Sequence, residues 1–192
     1  MVYLVLGLVL FLGVHSVRIV ADDWRTQTVA RIGANGFKGA YTLVSVVGLG
    51  LIVWGFGVAR ETPTLLWLPP VGMRHAAALL NVLAFVFLAA AYVPGNGIKA
   101  RVHHPMILGV KTWALAHLIA NGNLAHVLLF GTFLAWAVLD YVSCRRRDRA
   151  QGVQYAEGRL SATLLTVVTG VLVSGVFVMW LHGLLIGVKP FG

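Results

Sequence analysis

The sequence predicts an all-α integral membrane protein, a bundle of about six transmembrane helices. Of its 192 residues, 59% are hydrophobic and only 11% are charged, and the mean hydropathy is +0.86. Soluble domains carry about 25% charged residues, so water cannot be the main solvent of this chain. The apolar residues fall in runs long enough to cross about 30 Å of hydrocarbon. Together they predict a single membrane domain over residues 1–192.

Polar segments between the apolar runs give the order of the helices. The first run has no positive n-region and no small-residue cleavage site, so we predict a retained span and not a secretory signal. The mixed segment that follows is typical of a helix at the membrane interface. Asn121, Gly122 and Asn123 form a tight turn, so the fourth and fifth spans are predicted to make a short helical hairpin. The six spans are predicted at about residues 1–20, 39–59, 74–93, 106–120, 124–142 and 160–187.

Small residues in two of these spans predict close packing between helices. Glycine is costly in a water-soluble helix, whereas in a membrane a small residue lets two backbones approach. The residues concerned are Gly48, Gly50, Gly55 and Gly57 in the second span, and Gly170 and Ser174 in the sixth.

Basic residues indicate how the chain is oriented. Twelve of the 15 lie in or beside the first, third and fifth loops, and the largest cluster is Arg145, Arg146, Arg147 and Arg149. Because Lys and Arg concentrate in cytoplasmic loops, we predict a bacterial inner-membrane protein with both termini in the periplasm. The formal charge of +9 does not indicate nucleic-acid binding, because these residues form no basic face interleaved with aromatic side chains.

Seven histidines stand out against so few charges, because an imidazole in lipid needs a partner. His15 and His117 are embedded in the apolar segments FLGVHSVRIV and TWALAHLIAN. Two such imidazoles could supply axial nitrogens to a haem iron held in an apolar slot of a helical bundle. Hydrogen bonding between helices is the alternative. The remaining histidines fit interfacial anchoring, helix starts or headgroup contacts, and they are His75, His103, His104, His126 and His182.

The predicted depths of His15 and His117 differ. Counted along the helices from the cytoplasmic side, His15 would lie about 8 Å deep and His117 roughly 19 Å deep. One iron cannot bridge such an offset unless the helices tilt or extend. The alternative sets at matched depth are His15, His103 and His104 on the cytoplasmic side, and His117, His126 and His182 on the periplasmic side.

The segment HHPMILGVKTWALAHLIANG, preceded by YVPGN, resembles the NnrU family, and the likeness covers nearly the whole chain. Further matching stretches are FLGVHSVRI, NGFKGAYTLVSVVGL, LLFGTFLAWAVLDYVS and WLHGLLIGVKPFG. The resemblance implies a link to bacterial denitrification, particularly nitrite and nitric oxide reduction. The same domain occurs in plant zeta-carotene isomerase, a haem b protein, and that likeness implies iron ligands at His15 and His117. The plant enzyme has a Cys three residues before the second His, where this chain has Ala114, so ligand switching is not implied.

Haem b is therefore the expected cofactor. The cytoplasmic rim of the haem pocket is expected to be shaped by Arg101, His104 and Pro105, which could neutralise the haem propionates. Trp113 is expected to form a wall of the pocket. The chemistry implied is redox or isomerase-like, on an apolar small molecule. The alternative is a non-enzymatic accessory role for a respiratory or denitrification complex, and the sequence does not decide whether the chain is an enzyme.

A second likeness leads to another class of protein. The basic loop followed by HP and a helical hairpin resembles membrane methyltransferases of the isoprenylcysteine carboxyl type, in which that segment binds S-adenosylmethionine. This chain departs from the pattern in having the arginine run 145–149 where the cofactor pocket would be completed. Methyl transfer is therefore a third, weaker hypothesis.

Overall fold

A computed structural model describes residues 1–190 as a bundle of helices, which confirms the predicted fold class. Within these residues, five helical stretches are long and apolar enough to cross a membrane, and a shorter apolar helix lies among them. The helices are α1 (Val2–Val20), α2 (Asp22–Glu61), α3 (Met73–Tyr92), α4 (Gly97–Val102), α5 (Pro105–Ala120), α6 (Leu124–Ala150), α7 (Leu160–Val176) and α8 (His182–Ile186), with a π-helical segment, Phe177–Leu181, between α7 and α8. The short helix α5 and α6 form the predicted hairpin.

Helix α2 contains both the predicted interfacial segment and the second span. Its backbone leaves the helical region at Gly33, where φ is 78° and ψ is 159°. Positive φ is readily adopted only by glycine, so this residue permits the turn between the two parts. The polar residues before it therefore belong to one helical arm and the apolar residues after it to another.

The helices pack in a definite order. Helix α1 packs against α2 and α6, α5 packs against α6 and α3, and α3 packs against α7. The main hydrophobic core lies where α1, α2, α5 and α6 meet. Its buried members are Leu4, Leu8, Leu12, Ile52, Ala59, Ala114, Ala125, Leu129 and Phe130.

Close backbone contact joins α1 to α2 through glycine, as predicted for the second span. A Cβ added to Gly48 would lie 2.8 Å from the backbone nitrogen of Phe11, and one added to Gly55 would lie closer still to the backbone nitrogen of Leu4. Gly50 and Gly57 face open space, so the prediction is wrong for these two. Residues 48 and 55 are two helical turns apart and share a face, whereas residues 50 and 57 are rotated away from it.

The predicted packing role of the sixth span is confirmed. A Cβ on Gly170 would lie 2.5 Å from the Cα atom of Val86 on α3. Ser174, one turn later on the same helix, is buried. Helix α7 therefore approaches α3 through small residues.

Loops meet at both ends of the bundle. At the end that we call the far end, Leu66 N–H donates to the Gly122 carbonyl (2.8 Å) and Leu124 N–H donates to the Thr64 carbonyl (2.9 Å). At the opposite end, called the basic end because it carries residues 145–149, Arg159 N–H donates to the Gly95 carbonyl. The α2–α3 loop thus lies beside the α5–α6 turn, and the loop after α3 lies beside the α6–α7 loop. Six alternating crossings would place the same loops together. Which end faces the cytoplasm stays a prediction.

The outer surface of the bundle is apolar. Leu43, Leu79 and Leu172 are 66%, 74% and 63% exposed. Contiguous apolar exposure of this kind is rare on soluble monomers, and it is what a bilayer would cover. The chain is a multi-pass membrane protein.

Candidate functional site

His15 lies in the last two turns of α1, within a group of aromatic rings. Its ring stacks on Phe11 at a centroid distance of 4.2 Å. Tyr41 of α2 lies 5.0 Å away, and Trp136 of α6 presents an edge contact at 6.1 Å. The imidazole Nδ1 is 2.6 Å from the carbonyl oxygen of Phe11. Three helices therefore hold this ring in an apolar, aromatic setting.

His117 occupies the matching position near the end of α5. Its ring stacks on Phe130 of α6 at 4.5 Å and lies 5.4 Å from Trp113, one turn earlier. The imidazole Nδ1 is 2.9 Å from the carbonyl oxygen of Trp113. His117 thus repeats the arrangement of His15, with an aromatic residue four positions before it as its hydrogen-bond partner.

These two hydrogen bonds fix the tautomer of both rings. A carbonyl oxygen can only accept, so Nδ1 must carry the proton in each case. In a neutral imidazole, the other nitrogen, Nε2, then keeps its lone pair. Histidines that ligate metals commonly have this arrangement, with the distal ring N–H donated to a carbonyl and the free nitrogen bound to the metal.

A layer of aromatic rings lies between the two histidines. Phe133 of α6 is 5.8 Å from Phe11 and 5.6 Å from Trp113, so contacts run from one histidine to the other through three rings. Helices α1 and α5 both pack on α6. This layer separates the two imidazoles laterally.

The contacts that the two histidines make with α6 show how far apart they lie along the axis of that helix. His15 contacts Trp136, whereas His117 contacts Phe130. Six residues along an α-helix correspond to about 9 Å. The offset expected from the sequence therefore persists in the packed structure.

The residues present fit a haem in their donor chemistry. Two imidazoles, each with Nδ1 bonded to a carbonyl and Nε2 unoccupied, lie in an apolar, aromatic region of a helical bundle, which is how many b-type haems are held. A single iron additionally needs both nitrogens at one level. To bring the two Nε2 atoms to one level along the α6 axis, both histidine side chains would have to rotate. The aromatic layer formed by Phe11, Phe133 and Trp113 would also have to move aside.

The predicted rim residues lie away from this layer. Pro105 begins α5, twelve residues before His117, which is about 18 Å along the helix. Arg101 is exposed on α4, and His104 precedes Pro105 at the basic end. Trp113 alone lies beside His117, where it was expected as a wall. The role of the other three toward propionates stays a prediction.

His104 belongs to a cluster at the basic end. Its Nε2 is 2.8 Å from Asp148 Oδ2 near the end of α6. The same carboxylate accepts hydrogen bonds from Tyr155 (3.0 Å) and Arg145 (3.3 Å). We call His104, Arg145, Asp148 and Tyr155 the Asp148 cluster. It fastens the start of α5 and the α6–α7 loop to the end of α6.

His103 lies against this cluster in an unusual backbone conformation. Its φ is 66°, and its ring is 4.1 Å from that of Tyr155. Burial, and then the charge of Arg145, lower the pKa of His103 below its usual value. Burial, and then the hydrogen bond to Asp148, raise the pKa of Tyr155. Both shifts favour the neutral side chains.

The alternative histidine sets do not form metal centres. Across the described chain, no group of three or more His, Cys, Asp or Glu side chains is arranged to hold a metal ion. His104 is engaged by Asp148, away from His15. On the far side, His126 and His182 lie within electrostatic range of His117, but Nδ1 of His182 is occupied by the Val188 carbonyl at 2.7 Å.

Sequence reasoning missed three features of potential function. Residues 145–149 were interpreted as a purely basic run, although Asp148 within it organises the Asp148 cluster. Spacing gives the signal, since Arg145 and Asp148 are neighbours at i and i+3. The π-helical segment, a form often found at functional sites, was interpreted as regular helix. The third is Arg60, which the sequence shows only as a single charge just after the second predicted span.

Comparisons with known proteins agree with the whole-chain likeness. A family model described as NnrU protein matches residues 3–190. Neither a curated protein nor a solved structure has a significant match to the chain.

Proposed function

We propose that this chain, which belongs to the NnrU family, holds haem b between α1, α5 and α6, with His15 and His117 as axial ligands. The observation that carries the proposal is their shared hydrogen bonding. Each Nδ1–H is donated to the carbonyl four residues earlier, which leaves both Nε2 atoms free. The two half-buried histidines thereby share one tautomer, and in both of them the nitrogen that could bind iron is unoccupied.

The surrounding rings would serve the cofactor in two ways. Phe11, Phe130 and Phe133 contribute apolar surface and exclude water, which suits a largely hydrophobic macrocycle. Trp113 adds a further wall. When bound, a bis-histidine haem b would supply one-electron redox chemistry and, through it, polarisation of an apolar substrate. The protein residues themselves would orient the imidazoles and keep the site dry.

A groove beside His15 supports an apolar substrate. It has a volume of about 350 Å³ and runs between α1 and α6, lined by residues that include Leu12, Ser16, Leu128 and Thr132. Leu12 and Ser16 lie within one turn of His15 on α1. Val9, also on the groove, is 64% exposed on the lipid side. A lipid-soluble molecule could thus approach the site from within the bilayer.

The link to nitrite and nitric oxide reduction forms part of the same proposal and comes from the family resemblance. A haem protein in the membrane could serve denitrification either as an enzyme or as an accessory factor of a respiratory complex. The haem content of the purified protein bears on this choice. A haem-dependent enzyme must contain the cofactor, whereas an accessory factor needs none of its own.

Absorption spectroscopy tests the proposal. The protein would be expressed with ample haem supply and purified in detergent, and its oxidised and dithionite-reduced spectra recorded. We expect the bands of a low-spin, six-coordinate haem. His15→Ala and His117→Ala should each lose most of that spectrum and of the bound haem, because each removes one iron ligand, and added imidazole should partly restore it.

His75→Ala provides the matched control, since His75 is exposed at the start of α3. It should retain the wild-type spectrum. A wild-type protein without haem bands would reject the cofactor and favour the accessory role. A variant at position 15 or 117 with unchanged spectrum and haem content would show that the residue is not a ligand.

A further inference from the structure

The far end of the bundle holds a cavity that the proposed haem site does not use. Its volume is about 170 Å³, and it lies between the end of α2, the α2–α3 loop and the start of α6. The lining residues are Ala59, Arg60, Pro63, Thr64, Asn123, Ala125 and His126. The cavity has room for several water molecules at about 30 Å³ each, or for one compact ion.

Two residues that line the cavity each carry a buried polar atom without a partner. Among residues 1–190, Arg60 Nε and His126 Nδ1 are both buried and make no hydrogen bond within the protein. Such atoms are rare in native structures, because a buried unpaired donor costs about 1–3 kcal/mol. Arg60 and His126 both line the same cavity, so a ligand there would complete the hydrogen bonding of these two atoms once the side chains turn toward it.

Arg60 is held in place while its Nε stays free. Its Nη2 donates to the Ile186 carbonyl at 3.2 Å, and its guanidinium lies 5.1 Å from the centre of the Phe56 ring. His126 makes an edge contact with the same ring at 5.0 Å. Phe56 thus contacts both groups and holds the cation and the imidazole close together beside the cavity.

The charge at the cavity is positive. Among the lining residues, Arg60 is the one with a permanent charge, and no carboxylate is present. The cavity also adjoins the first turn of α6, where the N–H groups of Ala125 and His126 have no partner within the helix and the helix dipole is positive. Thr64 and Asn123 add neutral polar side chains. An acceptor with negative charge matches every one of these groups.

We infer that this cavity binds a small oxyanion, through Arg60 and His126. Arg60 Nε–H donates to one oxygen of the ligand, and His126 Nδ1–H donates to another. The ligand is a carboxylate, nitrate-like or phosphate group with no bulky substituent inside the cavity. It comes either free from solution or as the phosphate of an anionic lipid, since the cavity lies at the surface of the bundle.

The test uses the full chain in a zwitterionic detergent without anionic lipid. Nitrate, acetate and inorganic phosphate are titrated against chloride at constant ionic strength, with tryptophan fluorescence and thermal unfolding as readouts. We expect saturable binding of at least one oxyanion. Arg60→Gln and His126→Phe should each weaken it by about ten-fold or more, because each removes one charge-assisted or oriented donor.

Arg74→Gln is the matched control. It removes one positive charge from the same end of the bundle, at an exposed position outside the cavity, and it should leave binding unchanged. His126→Phe keeps the aromatic contacts with Phe56 and Phe130, so it remains informative if Arg60→Gln fails to fold.

A second arm distinguishes the source of the oxyanion. The protein is placed in nanodiscs with or without phosphatidylglycerol, and retained lipid is measured by native mass spectrometry. Lipid retention that Arg60→Gln and His126→Phe abolish would assign the cavity to a headgroup phosphate. If neither free oxyanions nor the anionic lipid bind, or if both variants bind as the wild type does, the inference is wrong. Neither outcome depends on haem.

Discussion

The two ends of α6 carry polar clusters that differ in how fully their groups are hydrogen-bonded. At the basic end, the Asp148 carboxylate is contacted by His104, Arg145 and Tyr155. At the far end, Arg60 and His126 each present a buried nitrogen without a partner in the described chain. Similar residue types thus occur in two different states. In the first arrangement the carboxylate finds its partners within the chain, and in the second the proposed oxyanion would supply them.

His15 and His117 lie between these extremes in both position and hydrogen bonding. Each imidazole has one nitrogen bonded to a backbone carbonyl and one nitrogen free. The side-chain partner of His104 therefore sets it apart from these candidate ligand-binding histidines, whereas Nδ1 of its neighbour His103 is also buried without a partner. Three experiments test this distinction.

Asp148→Ala should have the largest effect. It leaves His104, Arg145 and Tyr155 without their common acceptor, and the Asp148 side chain is only 13% exposed. We expect a loss of about 2 kcal/mol in the free energy of unfolding, measured by thermal or denaturant unfolding in detergent. Glu157→Ala, at an exposed loop position, should cost almost nothing. Equal stability of the two variants would contradict a structural role for the cluster.

Acid should weaken the basic end to a smaller degree. Burial and the Arg145 charge lower the pKa of His103 in the folded protein, and the charge on a protonated His104 acts in the same direction while Asp148 opposes it. The contribution of the neutral His103 ring is therefore complete above its usual pKa of 6.5 and is lost as the pH falls through the lowered value. We expect the midpoint of thermal unfolding to fall as the pH is lowered from about 8 to about 5.

His103→Asn should reduce that fall, since it removes the titrating ring, and asparagine tolerates positive φ better than most residues. His75→Asn alters an exposed histidine at the far end. The midpoint of thermal unfolding of this variant should depend on pH as that of the wild type does. A pH profile that is identical in the His103 variant and the wild type would assign the acid sensitivity to other groups.

His126→Phe should have the smallest effect on stability when no oxyanion is added. An apolar ring of similar shape replaces an imidazole whose Nδ1 is unpaired, so the free energy of unfolding should change by less than about 0.5 kcal/mol or rise. Unfolding measurements in chloride buffer decide this. A loss as large as that of Asp148→Ala would show that His126 is a structural residue, and the contrast between the two ends would fail.

The sequence was sufficient to predict the fold because apolar run length, glycine and turn residues act locally. Helix α1 and the turn at Asn121–Asn123 lie where those signals placed them. Packing faces were harder. Gly48 and Gly55 pack against α1, but Gly50 and Gly57 do not. The face of a helix that becomes buried depends on which neighbouring helix lies against it, and this is not encoded locally.

The polar sites depended on contacts distant in sequence. His104 and Asp148 are 44 residues apart, and three helices, α3, α4 and α5, separate Arg60 from the start of α6 along the chain. The α6 offset between His15 and His117 could be estimated from helix lengths. The aromatic layer of Phe11, Phe133 and Trp113 could not, because it requires three helices to be placed together.

The brevity of α5 has a consequence for the route to His117. A helix of 16 residues spans about 24 Å, which is about 6 Å less than a typical hydrocarbon core. Backbone N–H and C=O groups that end within hydrocarbon must be hydrogen-bonded. At the end of α5 the α2–α3 loop supplies such partners, to the Gly122 carbonyl and the Leu124 N–H. His117 lies only three residues before the end of α5, about 5 Å along the helix axis, whereas twelve residues separate it from the start of α5. A proton exchanged between water and that imidazole would therefore have its shorter route at the far end of the bundle.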